Sequence, residues 1–148
     1  MRHESDAHIA PAAELAIACH EQADMAAPCP AAARVIGFDL AGPEAGWPAS
    51  RQAALLARVR NAGLGLTLHA GEADGGERVL QAVRLGAQRI GHGVRLAEPI
   101  ADLIADRPAA DRVLAELKAH GTHLETCPTS NVHTGAAASL ALHPIHAL

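Results

Sequence analysis

The sequence contains no tyrosine and only one tryptophan and one phenylalanine, so aromatic residues make up 1% of its 148 residues. A hydrophobic core must therefore be built from alanine, leucine, valine and isoleucine. No apolar run approaches the roughly 20 residues that a membrane span needs, and none follows the charged N-terminal residues as it would in a signal peptide. We therefore expect a cytoplasmic protein that has no membrane partner.

Lysine and cysteine are also scarce. Lys118 is the only lysine beside eleven arginines, the net charge is −4, and the basic residues form no cluster. We therefore expect no nucleic-acid partner, because a surface that binds nucleic acid would be basic. The three cysteines show no Cys-x-x-Cys spacing, which argues against both a disulfide framework and a cysteine zinc site.

Short strand patterns alternate with helical patterns along the chain. The leucines of Leu64–Leu68 alternate with small residues and predict a strand that ends at His69–Glu72. Three further strands are predicted at residues 34–40, 89–94 and 122–127. Helices are predicted at residues 11–19, 111–120 and 134–142. Two more helices are predicted to begin at a cap on Ser50 and at the capping-box spacing of residues 74–77. A short helical piece is predicted at residues 99–110 and a loop at residues 21–33. Gly63, Gly86 and Gly121 are placed to end three of the helices.

This strand–helix alternation predicts a single α/β domain over residues 1–148 with right-handed crossovers. Each strand ends in a polar or glycine-rich signature, which is typical of a (β/α)8 barrel whose strand-end loops line one site. A complete barrel takes about 250 residues, so the chain has the length of a partial (β/α)8 TIM barrel.

Four strand-end motifs resemble those of the adenosine deaminase family of zinc-dependent barrel hydrolases. They are G-F-D-L-A-G at 37–42, H-A-G-E at 69–72, R-I-G-H-G at 89–93 and C-P-T-S-N at 127–131. They occur in the family's order and spacing, and the resemblance implies an internal fragment that covers about strands 3 or 4 to 7 of the metallo-dependent hydrolase fold. Met1–Glu4 is similar to the end of that family's third strand.

The resemblance also implies roles for four residues. His69 would be a zinc ligand, and Glu72 would be the general acid that protonates the purine ring nitrogen next to the attacked carbon. His92 would orient the attacking water or take its proton, and Gly42 would offer its N–H to a purine ring nitrogen. The implied reaction is hydrolysis of adenosine to inosine and ammonia in purine salvage, with one zinc ion as cofactor and a purine nucleoside as substrate.

Two metal-binding motifs of the family are missing from the sequence. It has no His-x-His, which the family carries on its first strand, and no Thr-Asp-Asp ending, which supplies an aspartate ligand. We therefore expect an incomplete zinc site, and we expect the chain to self-associate through open sheet edges. The pairs His120/His123 and His143/His146 do not lie at predicted strand ends, and no chemistry is assigned to Asp39, Ser130 or Asn131.

Three other functions remain open. A relative acting on adenine or another 6-aminopurine is the nearest, although the run T-S-N-V-H-T-G at 129–135 is more typical of the nucleoside enzymes. A catalytically inactive truncated remnant is the second. A serine hydrolase that uses Ser130 is the third, and it lacks the Gly-x-Ser-x-Gly elbow that such enzymes use.

Overall fold

The computed structural model describes residues 2–3, 6–25, 35–96 and 107–146. Four strands form one parallel sheet in the order β1-β2-β3-β4: β1 Gly37–Leu40, β2 Gly65–Ala70, β3 Arg89–His92 and β4 His123–Glu125. The register aligns Leu40 with Leu68 and Ala70 with His92, so these strands end at one edge of the sheet. The predicted α/β class and all four strands are confirmed.

Among the described residues, one α-helix lies between each pair of neighbouring strands. The helices are α1 Asp6–Met25, α2 Ala53–Asn61, α3 Gly76–Arg84, α4 Arg107–His120 and α5 Pro128–His133, with short 3-10 helices at Ala49–Gln52, Val94–Leu96, Leu140–Leu142 and Pro144–His146. The core is aliphatic, as the composition requires, and its most buried side chains include Leu56, Leu66, Leu68 and Ile90. No helix within the described ranges is both long and apolar enough to cross a membrane.

The first helix is longer at both ends than the predicted residues 11–19. It starts at Asp6 and ends at Met25, and Pro11 lies inside it. Proline costs a backbone hydrogen bond at that position, but Ile9 and Ala13 are buried four residues apart, and this packing offsets the cost. The predicted loop is therefore wrong at residues 21–25, and its residues 26–33 lie outside the described part.

Neither predicted helix cap forms. Ser50 lies inside the 3-10 helix that precedes α2, and no side chain caps either helix. Gly75 occupies the cap position of α3, while the Asp74 carboxylate instead accepts from Arg78 Nε at 3.0 Å. The predicted terminating glycines are confirmed, since Gly63, Gly86 and Gly121 have φ angles of 91°, 93° and 62°.

The helix predicted at residues 134–142 is wrong. The chain forms α5 directly after β4, and residues 140–142 form only a 3-10 turn. Pro128 occupies the first turn of α5, where its missing N–H costs nothing.

Further upstream, α4 starts at Arg107, earlier than predicted. Residues 99–106 of the predicted helical piece lie outside the described residues.

Candidate active site

The ends of β2 and β3 bring two histidines into contact. The His69 and His92 rings meet edge to face, with their centroids 5.0 Å apart. Gly91 makes this approach feasible, because a Cβ at that position would lie 2.8 Å from His69 Cδ2. His92 itself has a φ of 74°, a strained conformation for a residue with a side chain. Such strain is common at functional sites.

The His69 imidazole faces Asp39, which projects from β1. His69 Nε2 lies 3.1 Å from Asp39 Oδ2, and both side chains are partly exposed. The hydrogen bond to Asp39 raises the pKa of His69, and partial burial opposes the rise. The Arg2 guanidinium donates to the carbonyl of His69 and fixes the backbone at the end of β2. His69 is therefore held from both sides and still accessible.

Glu72 and His92 form the second half of the site. Glu72 Oε2 lies 3.4 Å from His92 Nε2, and Glu72 Oε1 accepts from the Thr134 hydroxyl at 2.9 Å. Burial lowers the pKa of His92, although the neighbouring Glu72 opposes this. The structure thus brings together His69, Glu72 and His92, as the sequence predicted.

Gly42 lies just after β1, at the same edge of the sheet, with a φ of 118°. Its neighbour Ala41 accepts a backbone hydrogen bond from Arg2 at 2.8 Å, so Arg2 lies beside the end of β1. The positive φ explains why a glycine occupies this position. The role predicted for Gly42 stays a prediction.

Glu44 is a residue of this region that sequence reasoning missed. Its buried carboxylate accepts from four consecutive backbone N–H groups, those of residues 71, 72, 73 and 74, at 2.7, 3.0, 2.8 and 3.0 Å. Gly71 begins this loop with a φ of 70°, and a Cβ there would lie 2.7 Å from Val79 Cγ2. Glu44 therefore holds the loop that carries Glu72.

Two further residues support His92 from behind. Asn131 lies on α5 and contacts His92 Nδ1 through its side-chain nitrogen at 2.9 Å. His143 contacts the Asn131 side-chain oxygen at 3.1 Å. Of the pair His143/His146, His143 is thus buried against an amide, whereas His123 of the pair His120/His123 is exposed.

A metal ion would need several of these side chains to converge on one point. Within the described ranges, no three or more His, Cys, Asp or Glu side chains are grouped so that they could hold one. His69 offers a partly exposed imidazole whose Nε2 faces Asp39, and the more buried His92 turns its Nε2 toward Glu72. A catalytic zinc takes about three protein ligands. The residues therefore fit one ligand position of a zinc site and do not complete it.

Comparisons with known proteins agree on one family. A family model described as adenosine deaminase matches residues 10–148. The adenosine deaminase of Serratia proteamaculans is 46% identical over 112 residues, which is 75% of this chain and 30% of that protein. The adenosine deaminase of Mycolicibacterium gilvum is 44% identical over 116 residues, 77% of this chain and 32% of that protein. The chain thus spans about a third of the length of these relatives.

Solved structures show the same fold. The adenine deaminase of Arthrobacter aurescens is 31% identical with a TM-score of 0.63, and the match covers 91% of this chain and 37% of that one. The N6-methyl-AMP deaminase of Arabidopsis thaliana is 24% identical with a TM-score of 0.68, and the match covers 96% of this chain and 35% of that one. The predicted partial barrel is therefore confirmed.

Proposed function

Because the chain belongs to the adenosine deaminase family, we propose that it contributes four strands and an acid–base site to a barrel that deaminates adenosine. Water and adenosine would give inosine and ammonia, in cytoplasmic purine salvage. The observation that carries this proposal is the meeting of His69, Glu72 and His92 at one sheet edge, with each residue in its family motif. The family is one of hydrolases that act on C–N bonds.

Glu72 is proposed as the general acid. It would give a proton to the purine ring nitrogen next to the attacked carbon, which neutralises the charge that develops there. The Thr134 hydroxyl donates to one carboxyl oxygen, and His92 faces the other at 3.4 Å, so the carboxyl group is held in one orientation. His92 would orient the attacking water or take its proton, and Gly42 would donate its N–H to a ring nitrogen.

His69 is proposed to bind zinc through its imidazole, together with ligands that the described residues do not supply. When bound, zinc lowers the pKa of water to about 7 and makes hydroxide available at neutral pH. Two observations support this role: His69 lies at the carboxyl end of β2, and its side chain is accessible. Arg2, by fixing the His69 carbonyl, holds the ligand's backbone in place.

A second candidate substrate is a free 6-aminopurine such as adenine. The similarity to the adenine deaminase of Arthrobacter aurescens favours it, at 31% identity. The adenosine deaminases match at higher identity, 46% for that of Serratia proteamaculans, and we therefore prefer the nucleoside. An inactive remnant is the remaining alternative.

A chimera tests the proposal. The matched segment of the Serratia proteamaculans enzyme is replaced with that of this chain, and adenosine and adenine are assayed separately by ammonia release. We expect turnover of adenosine. Glu72→Gln should lower kcat by at least about 100-fold and retain zinc, because general acid–base catalysis contributes that much. His69→Ala should lose both zinc and activity.

Glu77→Gln is the matched control, because Glu77 is an exposed carboxylate on α3. It should leave kcat near that of the unmodified chimera. A folded, zinc-loaded chimera without activity on either purine would support the inactive remnant and overturn the proposal. If Glu72→Gln loses zinc or keeps normal turnover, the role given to Glu72 is wrong.

A further inference from the structure

Three buried polar side chains form a row behind Glu72. His143, Asn131 and His92 are exposed by only 3%, 0% and 5%. His143 Nε2 lies 3.1 Å from Asn131 Oδ1, and Asn131 Nδ2 lies 2.9 Å from His92 Nδ1. Buried polar groups that lack partners cost free energy, so each contact in this row must pair a donor with an acceptor.

A backbone amide sets the direction of the whole row. The N–H of Ile145 donates to His143 Nδ1 at 3.0 Å, so this nitrogen is an acceptor and carries no proton. A neutral imidazole carries its one proton on the other nitrogen, here Nε2. His143 must therefore donate to Asn131. A backbone N–H can only donate, whereas an amide side chain can rotate by about 180° and exchange its donor and its acceptor.

The orientation of Asn131 follows from that of His143. Its oxygen must face the His143 N–H, so its NH2 group must face His92. The Asn131 backbone is also fixed, because its carbonyl accepts from Ala137 N at 2.9 Å and its N–H donates to the Cys127 carbonyl at 2.9 Å. His92 Nδ1 is consequently an acceptor, and the proton of neutral His92 lies on Nε2.

We propose that His143 is a positioning residue that sets the tautomer of His92 through Asn131. The set tautomer directs the His92 Nε2–H toward Glu72 and the neighbouring His69 ring, so His92 meets a reacting molecule as a hydrogen-bond donor. Of the two roles left open for His92, this favours orienting the water. This consequence for catalysis rests on the proposed function, whereas the tautomer of His92 is inferred without it.

Solid-state NMR of the 148-residue chain, labelled with 15N-histidine, reads the tautomer directly and does not require a monomeric sample. At a pH well above the ordinary pKa of histidine, we expect protonated Nε2 and bare Nδ1 in both His92 and His143. The spectrum of His92→Gln identifies the His92 signals. A protonated Nδ1 in wild-type His92 would overturn the proposal.

Three variants test the direction of the row. Asn131→Asp presents an oxygen to both histidines, so a proton should appear on His92 Nδ1 while His143 stays unchanged. His143→Phe removes the donor and should leave Asn131 free to turn, which gives His92 a mixture of tautomers. His143→Gln restores an N–H donor and should restore the single tautomer. His123→Gln is the control, because His123 is exposed on β4.

The outcomes separate a positioning role from a merely structural one. If His143→Phe does not fold, Asn131→Asp still decides, and an unchanged His92 Nδ1 in that variant would refute the proposal. In the chimera, His143→Phe should lower kcat by about 10- to 100-fold, as residues that orient site ligands do, with little change in KM and with recovery in His143→Gln. An inactive parent chimera would defeat the proposed function and leave the NMR result standing.

Discussion

The Glu44→Gln substitution should destabilise the chain strongly, although it changes only one atom and one charge. Glu44 Oε1 accepts from Gly71 N, and Oε2 accepts from the next three backbone N–H groups. A glutamine has only one side-chain oxygen. In its better orientation that oxygen keeps three bonds, and its NH2 group is forced against the N–H of Gly71, where two donors face each other.

The magnitude follows from these four bonds. Hydrogen bonds to a charged group are worth about 1 kcal/mol more than neutral ones, so three weakened bonds cost about 3 kcal/mol. The unsatisfied N–H of Gly71 adds about 1–3 kcal/mol. Relief from burying a charge offsets part of this loss. The buried Arg2, whose pKa is lowered by burial and raised by Glu44, loses a compensating charge. We expect a net loss of about 2–4 kcal/mol.

Urea unfolding followed by circular dichroism, at one chain concentration for the parent and the variants, measures this loss. The midpoint should fall while the slope with urea concentration stays unchanged, because the same surface is exposed on unfolding. Glu116→Gln is the matched control: Glu116 pairs with Arg84 at 3.1 Å, but the pair is partly exposed. Such pairs are worth about 0–1 kcal/mol. Equal losses in the two variants would refute the reasoning.

Three further results are expected. Asp39→Asn should lower the pKa of His69 in an NMR titration of the metal-free chain. In the parent chain, the pKa of His69 is raised, so the stability that the His69–Asp39 pair contributes is present at low pH and is lost as pH rises through the folded-state pKa. An unchanged His69 pKa in Asp39→Asn would contradict the assignment of the raised pKa to Asp39. After dialysis against a weak chelator, the isolated chain should not retain one zinc per chain; if it does, other histidines complete a site. The isolated chain should self-associate in light scattering because β1 and β4 are the outer strands of the sheet, whereas a sharp monomer peak with cooperative unfolding would exclude this.

The sheet could be predicted because its signals are local. The alternating leucines of residues 64–68 are buried as a strand pattern requires, with Leu66 and Leu68 at 1% and 0% exposure. The terminating glycines are equally local, since each needs only its own positive φ. Once four strands are parallel and neighbouring, their carboxyl ends must share one edge. The proximity of His69 to His92 was therefore predictable as well.

The helix boundaries were less predictable because distant packing decides them. Pro11 is a local signal against a helix interior, and the sequence offers no measure of what Ile9 and Ala13 gain by burial. At the C-terminal end, the sequence pattern predicted a helix at residues 134–142. The structure instead ends α5 at His133, and Gly135, with a φ of 77°, leads the chain away from helical geometry.

The residues that hold the site in place could not be found from local patterns. Glu44 follows a Gly-Pro pair and looks like an ordinary turn residue, yet its partners lie 27 to 30 positions further along the chain. Asn131 reaches His92 across 39 positions. Each of these contacts depends on the register between strands, which the sequence does not state. A buried carboxylate or amide in a turn next to a parallel strand end is therefore best interpreted only after the register is known, when its partners can be counted.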